Sequence, residues 1–358
     1  MSELFRYVDY NLTTGNNDGT SLENAFRGTD ALNVAIANMD TYAKQCITNG
    51  HVLRLIIKGL GCTNTSMTMP ELGSSWQTSS TYYVQFEVYE NEKHSGYIDE
   101  SKFLIFVTGD ALWLTQNTAQ SIKFKNMQFR FHNWGGFQLW SYGGTSNVYV
   151  FENCIFDNTD STRYTVLCSA RGFNNVNAKV IWIQCSFINW NINYPTTYGC
   201  INFSYQSTLC YMEFHNCQFN NVNTIIYDNY GSSAYMNVLY RNCIFDNVLK
   251  MTNSGGSTYI TESESCLNNV SNTTIGPSGA TFEQTFTFQN EANDIYLITS
   301  DDTGAKDQGV DNSGYGYNTD ILGTPRPQGP AWDCGTFEVP INISRKRQKL
   351  KLNLSLSL

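Results

Sequence analysis

The sequence predicts an all-β chain, a parallel β-solenoid with an N-terminal helix and a C-terminal strand arm. Three observations predict it. A strand–Asn–Cys–strand unit recurs at intervals of 23–32 residues. Asn, Gly, Ser, Thr and aromatic residues dominate, and they favour turns and strands over helices. Charged residues make up only 15% of the chain, against about 25% in ordinary soluble proteins. So much aromatic and aliphatic surface must be buried, which excludes disorder. No run of about 18 apolar residues is present, which excludes a membrane-spanning helix.

The chain has 358 residues, 40 of them Asn and 11 of them Cys. Residues 1–49 read as an N-terminal strand and helix. Leu32, Ala35, Ile36, Met39, Ala43, Cys46 and Ile47 recur at helical spacing, and Thr29 or Asp30 can cap the start. This helix is expected to cover the first coil. MSELFRYVDY has no basic stretch followed by an apolar core, so a signal peptide is not expected.

Residues 50–275 carry the coils. HVLRLIIKG (51–59), TYYVQFEVYE (81–90) and SKFLIFVTGD (101–110) are β-rich runs. Four segments then align without gaps: VYVFENCIFDN (148–158), KVIWIQCSFIN (179–189), YMEFHNCQFNN (211–221) and NVLYRNCIFDN (237–247). FKNMQF (124–129) is a weaker copy and SESCLNN (263–269) a decayed one. Like residues fall into columns. One holds Cys154, Cys185, Cys217 and Cys243; another Phe156, Phe187, Phe219 and Phe245; a third Asn158, Asn189, Asn221 and Asn247. Parallel coils stacked at about 4.8 Å put like over like, so Phe stacks inside and Asn forms ladders at turns. The phase of alternation shifts at Asn153, Gln184, Asn216 and Asn242, which places a bend there; Asn tolerates left-handed backbone. The stacked cysteines read as small, reduced, buried hydrophobes, against the alternative of a disulfide framework. Leucine-rich and propeller signatures are lacking.

Residues 276–340 lose the repeat and read as a C-terminal cap. Residues 341–358 form a basic arm. Arg345, Lys346, Arg347, Lys349 and Lys351 carry five charges, leaving the acidic remainder near −14 and disfavouring nucleic acid. Leu350, Leu352, Leu354, Leu356 and Leu358 alternate with polar residues, which is strand periodicity. Such a strand needs a partner sheet, on its own rod or on another subunit; pairing between subunits is expected, and the arm is also expected to meet other particle proteins.

The opening YVDYNLTTGNNDGTSLENAF (7–26), the stacked N-C-x-F-x-N unit and the ending DDTGAKDQGVDNSGYGYNTDILGTPRPQGPAWDCGTFEV (301–339) together resemble the right-handed parallel β-helix proteins of the pectate-lyase-like superfamily. The likeness covers residues 5–340. Thr336 stands where Ala is usual in that ending, and Cys334 where an aliphatic residue is usual. The resemblance implies the fold; the function stays open, because lyases, hydrolases, adhesins and phage spikes all use it.

Three outward columns carry acids and bases. One reads Glu152, Ile183, His215, Arg241; its neighbour Val150, Ile181, Glu213, Leu239; a third Asp157, Ile188, Asn220, Asp246. Glu213, His215 and Arg241 are the acid/base candidates, yet no carboxylate pair falls on neighbouring coils as glycosidases require. Asp301, Asp302, Asp307 and Asp311 are candidate oxygen ligands for calcium, without EF-hand spacing. No cofactor is expected. The expected function is a non-catalytic virion protein of a bacteriophage, either head decoration or tail spike or fibre. A homo-oligomer is expected, and the resemblance implies a trimer. The alternatives are a polysaccharide-binding or polysaccharide-degrading rod, whose partner is a host glycan, and a bacterial surface adhesin.

Overall fold

In the computed structural model, residues 2–28, 31–59, 78–107, 113–116, 121–131, 137–141, 148–159, 168–171, 179–190, 199–204, 210–228, 235–254, 259–262 and 266–340 are described. The capping candidates Thr29 and Asp30 and the arm residues from Arg345 to Leu358 lie outside them.

Among the described residues, six successive coils each supply one strand to each of three parallel sheets. Among the described residues the first sheet has nine strands, in the order Ser2–Asp9, His51–Lys58, Val84–Val88, Ser121–Lys125, Val148–Glu152, Lys179–Ile183, Cys210–His215, Tyr235–Arg241 and Tyr259–Glu262. The second has seven, from Ile105–Val107 through Gln128–Phe131, Ile155–Asp157, Ser186–Trp190, Gln218–Val222 and Ile244–Asp246 to Val270–Ser271. The third has six, running from Trp113–Gln116 to Lys250–Ser254. Each strand pairs in parallel with the strand one coil away, so sequence order and stacking order coincide. Long stacked parallel sheets with few helices make this an all-β chain compatible with a β-helix.

Register follows the repeat residue for residue. Phe156 pairs with Phe187, and Phe187 with Phe219. Their rings stack at centroid distances of 5.4 and 4.6 Å. A second stack on the first sheet runs Phe86, Phe124, Phe151, Trp182, Phe214, Tyr240, with spacings of 4.7–5.9 Å. The two stacks meet edge to face, as Phe214 and Phe219 do at 5.4 Å. Offset and edge-on contacts are the arrangements the ring quadrupole favours.

The corner between the first and second sheets is a single left-handed residue. Asn126, Asn153, Gln184, Asn216, Asn242 and Asn268 have φ of 51–59°. Asn reaches this region at low cost because its short amide bonds locally. Asn189, Asn221 and Asn247 make a second left-handed corner. Their amides form a ladder: Asn221 Nδ2 donates to Asn189 Oδ1 at 3.1 Å, and Asn247 Nδ2 to Asn221 Oδ1 at 2.8 Å. Asn158 is buried but is not left-handed.

The cysteines at the first corner face inward and are fully buried. The thiols of Cys154, Cys185, Cys217 and Cys243 each donate to a carbonyl one coil back, on Phe124, Phe151, Trp182 and Phe214, at 3.4–3.6 Å. All eight cysteines with described side chains are free.

Helix α1 (Ala31–Ala43) turns Leu32, Ala35, Ile36, Met39 and Ala43 into the same core as Val8, Leu53 and Leu55. Ile47, read as part of this face, is exposed. The helix stops at Ala43, and a short second helix, α2 (Cys46–Asn49), restarts with only Cys46 buried.

Residues 276–340 first seal an edge and then run along a flank. Thr281 pairs with the terminal second-sheet strand, accepting from Ser271 N at 2.9 Å and donating to Asn269 O at 2.8 Å. An antiparallel pair, Phe288–Asn290 with Ile295–Ile298, follows. Much of the rest lies over the outer face of the second sheet, while Tyr315 and Tyr317 reach the outer face of the first. Ile155 and Ile188 are covered by Tyr296 and Ile321; Ile244 and Val270 by Leu297, Cys334 and Phe337. The column Asp157, Ile188, Asn220, Asp246, read as outward, is therefore buried.

Candidate functional site

The first sheet keeps the most chemically varied outer face. Strand alternation points every second residue away from the core. Paired registers align Arg54, Gln85, Lys123, Val150, Ile181, Glu213 and Leu239 in one column. Glu87, Lys125, Glu152, Ile183, His215 and Arg241 stand in the next.

Acids and bases on this face are cross-linked between coils. Arg54 bridges Glu3 at 3.1 Å and also Glu87. Lys58 holds Asp9 at 3.1 Å. Glu152 takes both Lys123 and Lys125, the latter at 3.0 Å. Burial pushes the Glu152 carboxyl up, but the two ammonium groups together hold it below the usual carboxylate value.

Glu213 and His215 are brought together. His215 Nε2 lies 3.2 Å from Glu213 Oε2, and Lys179 Nζ lies 2.9 Å from Glu213 Oε1. The His215 bond and the Lys179 charge hold the Glu213 carboxyl down to about 2. His215 is fully buried beneath Tyr315 and Tyr317, whose ring centroids lie 5.0 and 5.4 Å away. Arg241 is not in this pair; its guanidinium stacks over Tyr315 at 5.0 Å.

That arrangement does not suit general acid catalysis. Glu213 is ionised at neutral pH and has no proton to give. Glu152 and Glu213 sit two coils apart, roughly 10 Å at the stacking distance. Both are ion-paired, so neither is the raised-pKa partner that glycoside hydrolysis needs.

Between these clusters the face opens into a cleft of about 300 Å³, lined by Tyr83, Lys123, Val150, Glu152, Ile181 and Tyr317 among others. The buried Ser121 hydroxyl beside it has no hydrogen-bond partner among the described residues.

Three of the four aspartates of the C-terminal segment, Asp302, Asp307 and Asp311, accept from its backbone N–H groups. Asp302 accepts from the N–H groups of Thr287, Ala305 and Lys306 at 2.6–3.0 Å. Asp311 accepts from Ser313 N at 2.7 Å. Asp307 packs against Gly329, and Asp301 is exposed. No group of three or more His, Cys, Asp or Glu side chains able to hold a metal occurs among the described residues. The motif around Arg326 is a buried knot. Arg326 donates to the carbonyls of Asp333 and Gly335 at 2.7 and 2.9 Å and faces Glu338 at 3.4 Å. Asp333 and Asp320 accept further backbone N–H groups from Asp307, Val339, Leu322 and Thr324.

Lys123, Lys125 and Lys179 were not singled out from the sequence. Their signal was available: aligned coils place Lys125 directly beside Glu152. Tyr315 and Tyr317 carried no such signal, because they reach the face from a segment outside the repeat.

No family profile, curated protein or solved structure matches the chain. The functional reading therefore rests on the geometry of these groups.

Proposed function

We propose that the chain is a non-catalytic structural protein of a bacteriophage particle, a head decoration protein or a tail spike or fibre. One observation carries the non-catalytic part. The acids Glu3, Asp9, Glu87, Glu152 and Glu213 on the first sheet's outer face are each tied to a base on the same or a neighbouring coil. Charges used this way stiffen a surface and leave none of these five acids free for proton transfer. Buried free thiols suit assembly in a reducing cytoplasm followed by release in the particle.

The finer architecture belongs to the same reading. The coils wind right-handed, as parallel crossovers do almost without exception. Helix α1 caps the first coil, shielding apolar side chains that have no coil beneath them. The rods associate as homo-oligomers, with the trimer implied by the resemblance.

The test is co-sedimentation of the full chain with intact particles, together with incubation on a panel of polysaccharides. Particle association without cleavage is expected. Unsaturated uronates or new reducing ends that disappear in Glu213→Ala would overturn the non-catalytic claim.

A second reading, a polysaccharide-binding rod, is favoured by the cleft between Tyr83 and Tyr317. Its apolar floor and flanking rings suit the face of a sugar. Glycan-array binding lost in Tyr317→Ala, without turnover, would select it.

A further inference from the structure

Acids gather without bases where the C-terminal segment meets the far corner of the second sheet. Asp246 ends the strand Ile244–Asp246 and is 5% exposed. Its Oδ2 accepts from Asn220 Nδ2 at 3.2 Å, and its Oδ1 from Asn272 Nδ2 at 2.5 Å. The turn Glu291–Asn293 brings Glu291 and Asp294 to the same corner. Asp294 Oδ1 accepts from Asn189 Nδ2 at 3.0 Å and from the Tyr296 hydroxyl at 3.2 Å. Burial raises the Tyr296 hydroxyl, and Asp294, Asp246 and Glu291 all raise it further, so the three carboxylates act on one point. Between Lys250 and Lys306 the chain holds no Lys, Arg or His. Burial pushes the Asp246 carboxyl up to about 6; Asn220 offsets part of this and Glu291 adds to it.

An amide oxygen in the same place lacks a donor. Asn220 is fully buried and pairs in register with Asp246. Its nitrogen faces the Asp246 carboxylate, while Oδ1, bonded to the same carbon, has no hydrogen-bond partner among the described residues. Buried acceptors are normally met by a donor, and buried charges by a counter-charge or a metal. We infer that a hard divalent cation, of which calcium fits best, binds between Asp246, Glu291 and the Asn220 amide oxygen.

The donors select the ion. Carboxylate and amide oxygens suit calcium or magnesium, and a set without thiol or imidazole disfavours zinc and copper. Calcium accepts about 6–8 oxygens in irregular geometry, whereas magnesium demands a regular octahedron. Two side chains from neighbouring coils and one from a turn form an irregular set. Glu291 is exposed, so water can complete the shell on its side. Each Asp246 oxygen keeps a lone pair beyond the one its amide partner uses. The set joins two acids to an amide oxygen and needs no third acidic ligand. The ion would cancel the repulsion between Asp246 and Glu291 and tie the Glu291–Asn293 turn to the coil beneath it. The inference is independent of the particle reading.

Titration calorimetry of the full chain with calcium chloride, after removal of metal by a chelator, tests it, together with melting temperatures in the same buffers. One ion per chain and a higher melting temperature with calcium are expected. Asp246→Asn and Glu291→Gln should each weaken binding about tenfold or more. Asp301→Asn, an exposed acid elsewhere in the segment, should bind as the wild type does. The exposed Glu291 decides the matter if Asp246→Asn alters the fold. Absence of binding would overturn the inference. So would a melting shift that sodium chloride reproduces at equal ionic strength, which is screening alone. Binding undiminished in both variants would place the ion elsewhere and overturn it too.

Discussion

Asn242 clips the backbone of Val310 with both ends of its side-chain amide. Nδ2 donates to the Val310 carbonyl at 2.7 Å, and Oδ1 accepts from the Val310 N–H at 2.8 Å. Asn242 is itself a left-handed corner, with φ of 52°. One residue therefore turns the coil and fastens the C-terminal segment to it. Asn216 and Asn268 add bonds to Asn312 and to the Gln308 carbonyl, at 3.2 and 3.0 Å. The corner column is a row of fasteners along the rod.

Replacing Asn242 separates its two roles. Asn242→Gly keeps the corner and loses the clip, at a cost of about 1–3 kcal/mol from buried groups left unbonded. Asn242→Ala also places a Cβ in left-handed backbone, which adds about 1 kcal/mol. Urea unfolding midpoints should rank wild type above Gly above Ala. Equal midpoints for wild type and Gly would show that the clip contributes nothing.

The repeat made much of this legible. Asn153, Gln184, Asn216 and Asn242 announced a bend because alternation changes phase there, and the backbone is left-handed at each. The Phe column announced stacking because equal spacing in a parallel array puts like over like. The covering of the second sheet was not legible. Ile188 stood in a column that reads as outward, yet Tyr296 and Ile321 lie over it, as Leu297 and Phe337 lie over Ile244. Those partners come from a segment without a repeat, and no local pattern links them to the coils. The pairing of Glu213 with His215 followed from alternation. The diversion of Arg241 to Tyr315 did not, since Tyr315 arrives from the same unpatterned segment.

Glu213 should make the protein sensitive to acid. Its carboxyl is held at about 2 in the fold, against an ordinary value of 4.5. The stabilisation is complete above about pH 5 and is lost as pH falls through 4.5 toward 2, because the unfolded chain takes up the proton first. The shift corresponds to about 3 kcal/mol as an upper bound. Glu213→Gln removes this term, so the stability gap between wild type and variant should be widest at pH 7 and close near pH 2. A gap independent of pH would place the effect in packing.

Asp246 works in the opposite direction. Burial raises its carboxyl to about 6, although Asn220 Nδ2 donates to it at 3.2 Å. The folded state favours the protonated form, so this group lowers stability as pH rises from about 4 through 6. Asp246→Asn stays neutral and similar in size. It should gain about 1–2 kcal/mol over wild type at pH 8 and little at pH 4. Thermal melts at the two pH values read the difference directly. A variant less stable than wild type at pH 8 would mean that the charge is accommodated.

The cysteine column should be chemically silent until the chain unfolds. Burial pushes the thiols of Cys154, Cys185 and Cys217 well above their ordinary value, and thiolate is the reactive form. A thiol-exchange reagent at pH 8 should leave these three untouched in native protein and label them in denaturant. The melting temperature should be the same with and without reductant. Rapid native labelling at Cys185 would mean that the coils open far more often than a stacked core allows.

Trp182 is the side chain on which the two aromatic stacks lean most. Phe151 and Phe214 stack on its faces at 5.9 and 4.7 Å, and Phe187 meets it edge-on at 6.3 Å. It is fully buried at the middle of the rod. Trp182→Ala would remove about 3–5 kcal/mol, since neighbours held in register from coil to coil cannot collapse into the space. Trp182→Phe matches the residue one coil either side and should recover most of that loss. Urea midpoints that fall equally for Ala and Phe would show that the indole's size, and not the continuity of the stack, is what the fold requires.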